Sequence, residues 1–150
     1  MNRKIILLAH NIRSLLNVGS FFRSSDCFGV EKIIFSGYTG IPPRREISKT
    51  AIGAEEWIPW EKVEDPIKKI KDLKKEGYKI VSLEINNEST NINNYKVSDK
   101  VCLILGNEIL GVPKEMLEES DDIIYIPMLG KKSSLNVSVA AGIALNCLSK

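Results

Sequence analysis

Short apolar runs recur along this chain between polar segments punctuated by glycine, asparagine and proline, and the period of each run separates strand from helix. Residues 4–9, Lys32–Ser36, Lys79–Leu83, Lys100–Leu105 and Ile123–Ile126 are runs of four to six residues rich in Ile, Val and Leu, the pattern of buried strands. Between them the spacing is helical. Asn17 stands where a helix cap is expected, and Val18, Phe21, Phe22, Ser25 and Phe28 then share one face, with Gly29 as the stop. Arg23 projects nearly opposite that face. Pro66 opens a lysine-rich helix that turns Ile67, Ile70 and Leu73 inward and ends at Gly77. Pro113–Ser120 reads as a short helix and Asn136–Leu148 as a final one with many small residues. Alternating strands and helices predict an α/β domain over residues 1–150, with a mainly parallel sheet flanked by helices.

Three of these strands run into unusual turns. After Ile123–Ile126, Pro127 has no N–H for a ladder and Gly130 permits a tight turn. Ser133, Ser134 and Asn136 then offer caps for the last helix. Val101–Leu105 runs into Gly106-Asn107-Glu108-Ile109-Leu110-Gly111, and Ile5–Ala9 into His10-Asn11-Ile12-Arg13. Ligands of open α/β sheets sit at such carboxyl ends of strands. Residues 37–50 form a long connection holding Gly40, Pro42, Pro43, Arg44 and Arg45, and Trp57 and Trp60 follow it. Two close tryptophans either stack on bases or are buried, with burial the commoner fate.

Charge changes the picture by its distribution. The net charge is only +2, but residues 1–50 carry eight Lys or Arg against three Asp or Glu. All five arginines, Arg3, Arg13, Arg23, Arg44 and Arg45, fall there. The arginine fork suits phosphate, so this third of the chain is read as facing a polyanion, the alternative being an ordinary solvated face. Cys27, Cys102 and Cys147 are scattered, without metal spacing, and read as reduced thiols in apolar surroundings, which points to a cytoplasmic protein. With one histidine, His10, a structural zinc site is excluded, and no apolar run is long enough for a membrane span or a signal peptide. His10 invites a general-base role, and a hydrogen-bonded loop histidine is the plainer reading.

Three stretches together resemble the SpoU/TrmH family of RNA ribose 2′-O-methyltransferases, in the SPOUT superfamily. They are Asn17 to Gly29, with its Asn, Gly and Arg; Leu105 to Val112, with Gly-Asn-Glu; and Ile126 to Ala141, with Ile-Pro-Met and Ser-Leu-Asn-Val-Ser-Val-Ala. Ser48–Glu55 is similar to a further family segment. The resemblance spans nearly the whole chain. It implies a deep C-terminal trefoil knot, which nothing in the periodicity shows, a homodimer, and S-adenosylmethionine as cofactor. It implies an RNA substrate, tRNA or rRNA, read without an added RNA-binding domain and without a metal.

Methyl transfer needs a bent, held cofactor, an aligned acceptor oxygen and a route for its proton. No G-x-G-x-x-G phosphate cradle is present, and this cofactor needs none. The resemblance implies adenosyl contacts at Leu83, Gly106, Ile126 and Leu135; Leu105 and Met128 suit the same apolar slot. Arg23 matches the family's essential arginine. A guanidinium does not readily lose its proton, so holding a phosphate beside the acceptor ribose is the better chemical role than acting as base. Asn17, Glu108, Ser134 and Asn136 match the remaining polar positions. Glu108 is expected to orient Asn17, Arg23 or the ribose, or else to cap the turn after its strand. Ser134 and Asn136 are also plausible plain caps. Two other readings compete: a non-catalytic RNA-binding or assembly module of the same fold, and a flavodoxin-like domain for a small phosphorylated ligand.

Overall fold

In the computed structural model, which describes residues 3–150, the chain passes through β1 (Lys4–His10), α1 (Leu15–Cys27), β2 (Lys32–Ser36), α2 (Arg45–Ala51), β3 (Trp60–Val63) and α3 (Pro66–Lys75). It continues through β4 (Lys79–Leu83), β5 (Thr90–Asn91), β6 (Lys100–Leu105), α4 (Lys114–Glu119), β7 (Asp122–Tyr125) and α5 (Val137–Leu148). The strands form one parallel sheet in the order β3-β2-β1-β6-β4-β7-β5. Ala9 lies level with Phe35 on one side and Leu105 on the other, and Leu83 lies level with Ile124. The carboxyl ends of β1, β2, β4, β6 and β7 therefore share one edge of the sheet.

The period of two along each strand sorts side chains to two faces. Ile5, Leu7 and Ala9 of β1 join Ile33, Phe35, Leu103 and Leu105 under α1, α2 and α5. Ile6 and Leu8 join Ile34, Ile80, Cys102 and Ile104 under α3 and α4. Phe21 and Phe22 of α1 are fully buried against the first face, each stabilising the fold by about 1.5–3 kcal/mol. Helix α5 seats Ala141, Ala144, Leu145 and Leu148 beside them. At Gly19, α1 meets the backbone of α2: a Cβ there would lie 2.0 Å from Thr50 Oγ1 and 2.2 Å from the Ile47 carbonyl oxygen. Thr50 in turn donates to the Leu16 carbonyl at 2.7 Å.

Several sequence expectations need correction. Helix α1 starts before Asn17: Ser14 is the N-cap, its hydroxyl accepting from the Asn17 N–H at 3.3 Å, and Asn17 sits inside the first turn. The sheet has two strands beyond the five expected. In β3 only Trp60 and Val63 are apolar, and β5 is two residues long, so neither carries a readable period. The connection 37–50 runs into α2, a short helix that begins within it and has just Ile47 and Ala51 buried. The tryptophans part company: Trp60 packs edge-on to Phe35 with ring centroids 6.1 Å apart, whereas Trp57 is exposed and donates from Nε1 to Asp26 Oδ1 at 2.7 Å. Cys27 is exposed at the end of α1, while Cys102 is buried and its thiol pushed up to about 12 by that burial. Arg3 lies at the opposite edge of the sheet from the loops described below. It donates to the carbonyl oxygens of Val97, Ser98 and Lys150, a structural clamp rather than a polyanion contact.

Candidate active site

A cleft of about 220 Å³ opens where β4, β6 and β7 end. Its walls include the apolar Leu83, Leu105, Ile126, Met128 and Leu135, and Gly106. All six positions singled out for an adenosyl group are thus brought together, from three strand ends and the loop leading into α5. Ser134 and Glu108 line the same cleft.

Its ionisable lining is acidic. Among the described residues it includes Glu84 and Glu108 but no lysine, arginine or histidine. Glu84 follows β4 directly, where no sequence signal marked it. Its Oε2 accepts from the Val112 N–H at 2.9 Å and its Oε1 from the Ile85 N–H at 3.2 Å. An acidic, apolar-walled cleft favours a ligand with cationic groups and a flat apolar body, and disfavours phosphate. The residues present fit S-adenosylmethionine, whose sulfonium and ammonium outweigh its one carboxylate and whose adenine suits the apolar walls.

Glu108 joins this cleft to the first turn of α1. Its carboxylate accepts from the backbone N–H of Arg13 at 2.9 Å, of Ser14 at 2.9 Å, and from Asn17 Nδ2 at 2.9 Å. Burial raises its pKa, but these hydrogen bonds outweigh that and hold the carboxyl below its ordinary value of 4.5. Of the three partners expected for Glu108, the structure pairs it with Asn17, which is 7% exposed. Asn107, not singled out from sequence beyond its place in Gly-Asn-Glu, braces the loop. Its Oδ1 accepts from the N–H of Ile109 and Leu110, both at 2.8 Å, and its Nδ2 donates to the Asn11 carbonyl and the Tyr38 hydroxyl. The signal available was chemical: Asn commonly hydrogen-bonds the backbone two residues on.

Asn136 caps α5, its Oδ1 accepting from the Ser138 N–H at 2.8 Å. It also borders a recess shared with Arg13, Ser14, Leu16, Asn17, Glu108 and Ile109, so the capping role does not remove it from the polar group. Arg23 stands apart. It is exposed and lines a separate recess with Ser20, Ser24, Lys49, Thr50, Ser138 and Val139, beside the first turn of α5. His10 ends β1 with Nδ1 at 2.8 Å from Ser36 Oγ, and burial holds its pKa below 6.5 despite the pull of Glu115. It lines none of these recesses, so the plainer reading fits it.

A parallel α/β sheet with an acidic, apolar-walled cleft at its carboxyl edge is the arrangement in which open α/β sheets hold small ligands. The model of the SpoU rRNA Methylase family matches residues 4–146, and the chain belongs to that family. It is 34% identical over 143 residues to a tRNA (guanosine(18)-2′-O)-methyltransferase of Aquifex aeolicus, covering 95% of this chain and 67% of that protein. It is 33% identical to a 23S rRNA (guanosine-2′-O-)-methyltransferase of Vibrio vulnificus over 94% of this chain and 57% of that one. The solved structure of an AdoMet-bound rRNA methyltransferase from Sinorhizobium meliloti superposes with a TM-score of 0.89 at 25% identity, over 99% of this chain and 56% of that chain. The chain therefore spans between just over half and two thirds of the length of these relatives. The mainly parallel α/β fold expected from the sequence is the fold of the family.

Proposed function

We propose that this chain is an S-adenosylmethionine-dependent methyltransferase acting on a ribose 2′-hydroxyl in tRNA or rRNA. One observation carries the reading: the cleft lined by Leu83, Leu105, Gly106, Ile126, Met128 and Leu135 is joined through Glu108 to Asn17, the first residue of the arginine-bearing motif. When bound, the cofactor supplies an electrophilic methyl group. Transfer breaks the sulfur–carbon bond, forms the carbon–oxygen bond at the ribose, and releases the hydroxyl proton. The apolar walls hold the adenine, and the carboxylates of Glu84 and Glu108 give a field that favours the cofactor's positive charge. Ser134, Asn17 and Asn136 offer hydrogen bonds to the ribose, and Arg23 binds the phosphate beside it, stabilising the developing alkoxide. A phosphate oxygen or water takes the proton. The acidic lining argues against a flavin or nucleotide phosphate as the resident ligand.

The same reading includes a homodimer and a trefoil knot in the cleft loops. Within one chain Arg23 borders a recess other than the cleft, and in this reading a second copy carries it to the acceptor. Leu16, Ile109 and Val139 are exposed apolar side chains lining these recesses; Ile143 is exposed further along α5, and Leu110 and Leu129 are 84% and 96% exposed. Apolar exposure of this kind marks an interaction surface. Among the described residues no helix is long and apolar enough to cross a membrane and no cluster could hold a metal. An RNA substrate of this class would be met in the cytoplasm. The test is mass spectrometry of ribose methylation in tRNA and rRNA from cells with and without the gene. Loss of a single 2′-O-methyl mark is expected, and identical profiles contradict the reading.

A further inference from the structure

An exposed aromatic ring held rigidly at both ends stands beside the proposed acceptor site. Tyr38 is 59% exposed, yet its hydroxyl accepts a hydrogen bond from Nδ2 of the buried Asn107 at 2.7 Å. Its backbone N–H donates to Asn11 Oδ1 at 3.1 Å. Gly37, directly before it, has φ +67°, and a Cβ there would lie 1.8 Å from Asn11 Oδ1, so the turn leaves room only for glycine. Asn107 also holds the Asn11 carbonyl at 2.8 Å and lies between Gly106 and Glu108, both in the cleft wall. A single buried amide thus ties the ring to the catalytic loop. Tyrosines usually bury the ring and leave the hydroxyl to solvent; here the hydroxyl is engaged and the ring is open.

Position fits a role in substrate binding. Tyr38 follows β2, and β2, β1 and β6 are neighbours whose carboxyl ends share the edge on which the cleft opens. The 2.7 Å hydrogen bond from Asn107 sets the ring against the loop that carries Glu108. Cationic side chains lie close along the chain: Arg13 on the loop that holds Tyr38, and Arg44 and Arg45 on the segment that follows it, all exposed. An open π-face on a stretch of chain that also carries exposed arginines is the chemistry that binds single-stranded nucleic acid.

We propose that Tyr38 is a stacking platform for a nucleobase next to the ribose that is methylated. The proposal rests on the RNA-methyltransferase reading above. It predicts that the ring, not the hydroxyl, carries the effect, because every base has a face to stack. It also predicts that the nucleotide beside the acceptor is unpaired when bound.

The test is steady-state methyl transfer from S-adenosylmethionine to the pooled tRNA and rRNA of cells lacking the gene, using wild type, Tyr38→Phe and Tyr38→Ala. Tyr38→Ala is expected to raise the KM for RNA at least fivefold with kcat within about twofold, as loss of one stacked base requires. Tyr38→Phe is expected within about twofold of wild type, and both variants keep wild-type affinity for the cofactor by calorimetry. A Tyr38→Ala KM within twofold of wild type overturns the platform. So does a Tyr38→Phe enzyme as impaired as Tyr38→Ala, which would assign the effect to the Asn107 hydrogen bond. A wild-type enzyme that binds the cofactor but methylates no RNA defeats the underlying reading, and the platform with it.

Discussion

Asn17 Nδ2 donates to Glu108 Oε2 at 2.9 Å, joining residues 91 positions apart. With the N–H groups of Arg13 and Ser14 on the same carboxylate, Glu108 acts as a cap supplied from another element and fixes α1 against the cleft. Replacing it by Gln keeps the size but turns a donor amide toward donors. Glu108→Gln should cost about 1–3 kcal/mol of stability and lower methyl transfer at least tenfold. The pH dependence has a definite sign. A carboxyl depressed in the folded state stabilises above its unfolded value, about 4.5, and loses that contribution as pH falls through the folded value. Urea unfolding should therefore separate wild type from Glu108→Gln at pH 7, and the gap should narrow as pH falls below 4.5.

Arg23 lies outside the cleft of its own chain. Arg23→Ala should abolish methyl transfer while cofactor affinity by calorimetry stays within about twofold. Equal loss of both would place Arg23 in the cofactor pocket instead.

Leu135 is partly exposed on the cleft wall. Leu135→Ala removes apolar contact worth about 1–2 kcal/mol, so S-adenosylmethionine should bind roughly ten times more weakly with little change in melting temperature. Flavin mononucleotide should give no heat with either protein, because the cleft lining offers its phosphate no cation among the described residues.

If the acceptor site draws Arg23 from a second copy, light scattering should give twice 16.8 kDa. Mixing Arg23→Ala chains with Asn136→Ala chains should then restore part of the activity that each lacks alone. A dimer without such rescue would leave each site within one chain.

Gly19 has no room for a methyl group, because a Cβ would stand 2.0 Å from Thr50 Oγ1 and 2.2 Å from the Ile47 carbonyl oxygen. Gly19→Ala must push α1 from α2, at about 1–3 kcal/mol, and should lower Tm by several degrees.

The strands of the inner sheet were legible because each is apolar on both faces, as in Ile5 to Ala9 and Val101 to Leu105. Helix α1 was legible from its phenylalanines, but its start was not: Ser14 and Asn17 are both good caps, and only the packing of the first turn on Glu108 decides between them. Helix α2 escaped because two buried residues, Ile47 and Ala51, make no period, and the neighbour they need, Gly19, lies far away in sequence. The cleft residues were legible from strand ends and the family resemblance. Glu84 and Tyr38 were not, since a Glu after a strand and a Tyr in a loop acquire meaning only through Val112 and Asn107.

The most direct measurement incubates the purified protein with methyl-labelled S-adenosylmethionine and RNA from cells lacking the gene, then digests the RNA to nucleosides for mass spectrometry. The account predicts label on the ribose of one nucleoside, absent when Arg23→Ala replaces wild type. Label on a base, or no label in RNA from an enzyme that binds the cofactor, would contradict it.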